Sequence, residues 1–111
     1  MLPHARRLKD TAEFDRVFRD GRAAHGRLVS IRMRPADGFK AGFVVGKAVS
    51  QKAVVRNRTR RRLQEIVRAV GPDLGAVELV VSAKRAAADA GSPVLRDEIT
   101  DLLGTLTKER A

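Results

Sequence analysis

The run Lys52-Ala53-Val54-Val55-Arg56-Asn57-Arg58-Thr59-Arg60-Arg61-Arg62-Leu63-Gln64-Glu65-Ile66-Val67-Arg68-Ala69-Val70-Gly71-Pro72 decides how the remaining sequence is read. With about 100° of rotation per residue, Val55, Thr59, Leu63, Ile66, Val67 and Val70 fall in one stripe, which predicts a helix from near Lys52 to about Val70. Gly71-Pro72 stops it, since proline cannot extend the ladder and glycine suits a turning exit. Arg58, Arg61, Arg62 and Arg68 fall away from the stripe, while Arg56 and Arg60 flank it near the amino-terminal end. A helix meant only to pack would not set guanidinium groups beside its own apolar stripe.

Outward from this helix, the chain alternates short elements. Upstream, Thr11 to Asp20 predicts a first helix: Asp10 and Glu13 have capping-box spacing, Leu8 staples the entry, and Gly21 suits a left-handed exit. Its Phe14, Val17 and Phe18 share one face. Residues 27–34 read as a strand, Val29, Ile31 and Met33 alternating with Ser30, Arg32 and Arg34. Pro35-Ala36-Asp37-Gly38 is a turn, and Ala41 to Lys47 is a second strand whose apolar content suggests a more central place. Downstream, Val77 to Val81 is a short strand, and Ser92-Pro93 opens a last helix along Leu95, Ile99, Leu102, Leu103 and Leu106. The order α-β-β-α-β-α, with room for an extra short strand, predicts an α+β fold: a small single-domain two-layer sandwich of helices on a sheet. Residues 1–111 read as one domain, with an ordered core over about 8–106.

Charge points to the partner. The net charge is +10, and residues 1–72 carry 18 Lys/Arg against 6 Asp/Glu. The remaining 39 residues are slightly acidic, with 5 against 7. Solubility alone does not require such concentration; counterion release from a polyphosphate rewards it. From Gly38 to Gln64 no acidic residue occurs, and Lys47, Lys52, Arg56, Arg58, Arg60, Arg61 and Arg62 gather around the start of the long helix. Guanidinium groups grip phosphates with paired donors and stack on bases. Asn57, between two arginines, can bind a ribose or base edge, or tie neighbouring loops together.

Other classes find no support in the sequence. No apolar run approaches the roughly 18–20 residues of a membrane span, and the first seven residues lack the apolar stretch of a secretory signal. There is no cysteine, which excludes disulfides and thiolate metal sites and fits a cytoplasmic protein. No metalloprotease, phosphate-loop or nucleophile-elbow motif occurs. His4 and His25 fall in an expected chain end and an expected loop, where histidine is most often merely solvated. Asp10, Glu13 and Asp15 could hold a metal, but the helix dipole already explains carboxylates there. No catalytic residue and no metal site is assigned to the protein.

Ala53 to Leu63 closely resembles the Arg-Asn-Arg signature of the bacterial ribonuclease P protein subunit. Arg7-Leu8, Glu13-Phe14, Val17-Phe18 and Gly21 resemble that family's opening segment, Val44-Val45-Gly46-Lys47 the strand before the basic block, and Leu79-Val80-Val81 the next strand. The resemblance spans roughly residues 6–106. It implies a left-handed β-α-β crossover, against the usual hand. It also implies partnership with a catalytic RNA that, with Mg²⁺ bound mainly by the RNA, removes the 5′ leader of precursor tRNA. The enzyme would be an endoribonuclease whose catalysis resides in RNA. On this resemblance Lys47, Lys52, Arg56, Asn57, Arg58, Arg60, Arg61 and Arg62 bind the catalytic RNA. Phe14 and Phe18, with Arg32, line a cleft for the single-stranded leader, although two Phe on one helix face are ordinarily core. The chain departs from the family pattern at Val49–Ala53, one residue longer and without its glycine, and at Val29, Arg32, Gln64 and Arg85. Two alternatives stay open: a ribosomal or ribosome-assembly RNA-binding protein, and a DNA-binding regulator. The second lacks a partner helix across a short glycine turn.

Overall fold

The computed structural model describes residues 6–110, and caps and turns set where its elements begin. Helix α1 (Thr11–Asp20) starts where the Asp10 carboxylate accepts the Glu13 N–H at 2.9 Å. Glu13 turns back to the Lys9 N–H at 3.0 Å, one residue before the reciprocal partner that a capping box would use. Gly21 is not left-handed: its φ is −83°, and glycine fits for another reason. A Cβ there would sit 2.4 Å from the Val17 carbonyl oxygen and 3.1 Å from that of Met33.

The extra short strand is β1 (Arg22–His25), which pairs antiparallel with β2 (Val29–Pro35). His25 therefore ends a strand instead of lying in a loop, and its Nδ1 is 2.9 Å from Ser30 Oγ. His4 lies outside the described residues. Next come β3 (Lys40–Val44), α2 (Ala53–Val70), a 3-10 turn (Pro72–Leu74), β4 (Val77–Ala83), a short 3-10 helix (Arg85–Asp89) and α3 (Ser92–Arg110). The long helix thus ends where its apolar stripe does. Gly71, like Gly21, is a point of close approach and not a left-handed exit: its φ is −69°, and a Cβ would meet the Phe39 ring at 2.4 Å.

The sheet order is β1-β2-β4-β3. β3 and β4 are parallel and joined through α2; the other pairings are antiparallel. β3 is consequently an edge strand, not a central one. Its apolar character has a different cause, cover on both faces: Ala41, Phe43 and Val45 pack into the main core, while Gly42 meets the Phe14 ring. Arg7 bridges Ala41 on the open edge, with the Leu8 N–H donating to the Ala41 carbonyl at 3.0 Å.

Alternation along the strands divides the apolar residues between two cores. Ile31, Met33, Leu79 and Val81 join Leu63, Ile66 and Val67 of α2 and Leu95, Ile99, Leu103 and Leu106 of α3 in the principal core. Val80, facing the other way, packs with Leu8, Val17 and Phe14. The sandwich therefore carries helices on both faces, α1 being the smaller layer. Burying each large aliphatic side chain contributes about 1.5–3 kcal/mol. Among the described residues no helix is long and apolar enough to cross a membrane.

Candidate RNA interface

Helix α2 runs back from the carboxyl end of β3, so its first turns stand beside the loop that leaves that strand. The loop is tightly held. The Val49 N–H donates to the Gly46 carbonyl at 3.0 Å, Val49 is buried, and the Lys52 N–H donates to Ser50 Oγ at 3.1 Å. Arg56 Nη1 donates to the carbonyls of Ser50 and Gln51 at 2.9 and 3.0 Å. Residues 49–52 thus form a compact loop closed by an arginine of the helix it introduces.

The predicted RNA-binding residues share this end of α2 but divide by flank. Arg60 donates to Asn57 Oδ1 at 3.1 Å and to the Val45 carbonyl at 3.4 Å, leaning toward β3. Arg62 leans the other way, donating to the Ala90 carbonyl at 3.2 Å. Between the flanks Arg58 and Arg61 are exposed, and their side chains meet no partner among the described residues; Lys47 and Lys52 are likewise exposed. No carboxylate among the described residues lies within ion-pair range of Arg56, Arg58, Arg60, Arg61 or Arg62, whereas Arg68 further along pairs with Glu65 at 3.0 Å. A guanidinium has five donors, so arginines that hold the fold with one or two keep others for a ligand. The positive charge is gathered and left unneutralised.

The Arg60 flank opens into a hollow of about 150 Å³ lined by Arg7, Leu8, Phe14, Gly42, Arg60 and Gln64, among others. Phe14 is half-buried and seated on Gly42, where a Cβ would lie 2.4 Å from its Cζ; only glycine allows that seat. Phe18, one turn on, is 38% exposed. The Arg32 guanidinium lies 5.5 Å from the Phe18 ring centroid, and its Nη1 reaches the Phe18 carbonyl at 3.4 Å. The two phenylalanines, equivalent in sequence, are therefore different in space: Phe14 packs, Phe18 presents a face. Arg7 is the residue sequence reasoning missed. Its Nε is buried without a hydrogen-bond partner among the described residues, and only the bridge to Ala41, a tertiary contact, brings it to the hollow.

Two of the three carboxylates around the start of α1, Asp10 and Glu13, are occupied structurally. Asp10 caps the helix, and the Lys9 N–H, with help from Lys40, holds the Glu13 carboxyl below its ordinary pKa. A larger hollow, about 490 Å³, lies at the opposite end of the sheet among Arg16, Arg34, Lys40, Asp37 and Glu78. There the charges satisfy one another: Arg34 and Arg16 approach buried Glu78 at 2.8 and 3.8 Å, and Lys40 pairs with Glu13 at 3.5 Å. Size does not make it the RNA site.

The model of the family described as Ribonuclease P matches residues 2–107. The chain belongs to the ribonuclease P protein family. It is 43% identical over 115 residues to the ribonuclease P protein component of Acidothermus cellulolyticus, spanning 99% of this chain and 95% of that one. It is 33% identical over 103 residues to that of Xanthomonas oryzae pv. oryzae, spanning 92% and 71%. The fold is shared with the Staphylococcus aureus RNase P protein, at TM-score 0.81 and 23% identity over 90% of this chain and 94% of that one. It is shared also with the Thermotoga maritima protein, at TM-score 0.75 and 20% identity over 92% and 96%. Membership gives the function in outline: the protein component assists the ribonuclease P RNA in processing the 5′ end of tRNA.

Proposed function

We propose that the α2 surface seats the catalytic RNA of ribonuclease P and that the hollow beneath α1 holds the 5′ leader of precursor tRNA. The observation that carries the first assignment is the unneutralised set of Arg58, Arg61, Lys47 and Lys52 at one end of one rigid helix. The folded domain positions these groups before RNA arrives, so little conformational entropy is lost on binding. Arg56, Arg60 and Arg62 contribute their remaining donors and keep the loop, the hollow and the α3 start in place around the helix. Asn57 orients Arg60 and leaves its amide N–H₂ for RNA.

For the leader, Phe18 offers a stacking face, Arg32 a planar cation beside it, and Arg7 a guanidinium on the wall of the hollow. Phe14 forms the wall. A single strand fits this chemistry: bases stack on Phe18, worth roughly 1–3 kcal/mol each, and a phosphate pairs with Arg7. Hydrolysis belongs to the RNA. In this reading the Mg²⁺ is held mainly by the RNA. The protein's part is to bind, to hold the leader and to screen phosphate repulsion, lowering the Mg²⁺ requirement in the cytoplasm where precursor tRNA is made.

Reconstitution is the direct test. Purified protein added to the organism's ribonuclease P RNA at low Mg²⁺ should stimulate cleavage of precursor tRNA and raise its affinity over that of mature tRNA. Stimulation without that preference would leave the RNA interface standing and remove the leader cleft. No stimulation would remove both.

A further inference from the structure

The parallel pairing of β3 and β4 brings their carboxyl ends to the same edge of the sheet, and antiparallel β2 starts there. Lys47 follows β3 at this edge, Lys84 and Arg85 follow β4, and Arg27 precedes β2. The Lys84 N–H donates to the Leu28 carbonyl at 2.9 Å and its ammonium to the Gly26 carbonyl, which joins the β4 exit to the β1–β2 turn. The 3-10 helix that begins with Arg85 lies against α2, and Arg62 is bonded to Ala90 just beyond it. An open hollow of about 360 Å³ lies between the turn, this 3-10 helix and the start of α3, lined by Arg27, Leu28, Asp89, Ala90 and Val94 among others.

Arg27, Lys84 and Arg85 are exposed, and the guanidinium groups of Arg27 and Arg85 have no partner among the described residues. Two carboxylates belong to the same side. Glu98 is occupied, accepting the N–H groups of Arg27, Leu28 and Val29 at 2.9, 2.7 and 2.8 Å. Asp89 stands on the wall of the hollow and offsets one charge. The balance remains positive and adjoins the flank of α2 that bears Arg62.

We propose that the RNA footprint continues from α2 around this end of the sheet, with Arg27, Lys84 and Arg85 forming a second phosphate-binding patch for the same catalytic RNA that covers Arg58. The patch rests on the assignment of α2 to that RNA. Its position supports the catalytic RNA over the leader, because it adjoins the Arg62 flank of α2, whereas the leader hollow opens on the Arg60 flank. Two phosphate contacts off the α2 axis would also fix rotation about that helix, which contacts along one helix leave free.

The test is the double variant Arg27→Gln/Arg85→Gln, which removes no hydrogen bond or ion pair among the described residues, with Arg58→Gln as reference. Affinity for the catalytic RNA is measured against salt, and leader-dependent affinity for precursor tRNA is measured on the saturated holoenzyme. The expected result is a shallower salt dependence, its log–log slope reduced by about 1.4–1.8 for two lost charges, with leader preference unchanged. A wild-type slope in the double variant, while Arg58→Gln lowers it, would overturn the patch and leave α2 as the interface. A wild-type slope in both would overturn the α2 assignment as well. Loss confined to precursor-tRNA affinity would overturn the choice of partner and transfer the patch to the substrate.

Discussion

Arg56 and Arg58 stand two residues apart, and their surroundings give them different work. Arg56 closes the Ser50–Gln51 loop through two carbonyl contacts, whereas the Arg58 side chain is exposed and makes no hydrogen bond or ion pair among the described residues. Arg58→Ala should leave the unfolding midpoint unchanged and weaken binding to the catalytic RNA by roughly 1.5–3 kcal/mol, the worth of a charged hydrogen bond, with a reduced salt slope. Arg56→Ala should do both kinds of damage, lowering stability by about 1 kcal/mol as well; thermal melts beside binding curves separate the two. The phenylalanines divide in the same way. Phe18→Ala should melt close to wild type and lose leader-dependent affinity by about 1–3 kcal/mol. Phe14→Ala, which empties the seat on Gly42, should cost about 3 kcal/mol of stability, measured by urea unfolding. A large stability loss for Phe18→Ala would return that ring to the core. Residue identity was legible for the charged block because guanidinium chemistry is local. The Phe14–Phe18 distinction was not, because it depends on which strand lies under each turn.

At the scale of elements, periodicity located the three α-helices and the alternating strand β2, since each buries one face and its repeat shows in the residues, while apolar runs located β3 and β4; the two 3-10 helices left no such signal. The amphipathic stripe of α2 holds in space: Thr59, Leu63, Ile66 and Val67 are buried, and the Thr59 hydroxyl donates to the Val55 carbonyl at 2.9 Å. The four-residue β1 is too short and too polar to announce itself; its partner strand makes it a strand. β3 misled for a related reason, since apolar content reports cover by helices and not rank within a sheet. Glu98 is the hidden tie between elements, one α3 carboxylate capping three backbone N–H groups of the β1–β2 turn. Glu98→Ala should destabilise the fold by roughly 2–3 kcal/mol and speed amide exchange in residues 27–29 more than in α2. Uniform acceleration across the molecule would refute a local tie.

At the scale of the whole molecule, positive charge limits stability toward acid and directs binding toward RNA. The Glu13 carboxyl, held low by the Lys9 N–H, contributes stability that is present above its ordinary pKa of 4.5 and is lost as pH falls through the depressed folded value. Glu13→Gln should therefore lose stability at neutral pH and show a flatter decline below about pH 4.5, measured by urea midpoint against pH. A parallel decline in both proteins would exclude that linkage. Composition and pattern alone determined that this chain folds as α+β, concentrates its positive charge on an arginine-rich helix and resembles the ribonuclease P protein family. Those properties are carried by residues near one another along the chain. Tertiary structure alone decided that β3 lies at the edge, that Arg7 lines the hollow beside Phe14, that Arg56, Arg60 and Arg62 bond the segments around α2 while Arg58 and Arg61 stay exposed, and that Arg27 and Arg85 share one end with them. Each joins segments distant in sequence, and only strand pairing and helix packing bring such segments within reach.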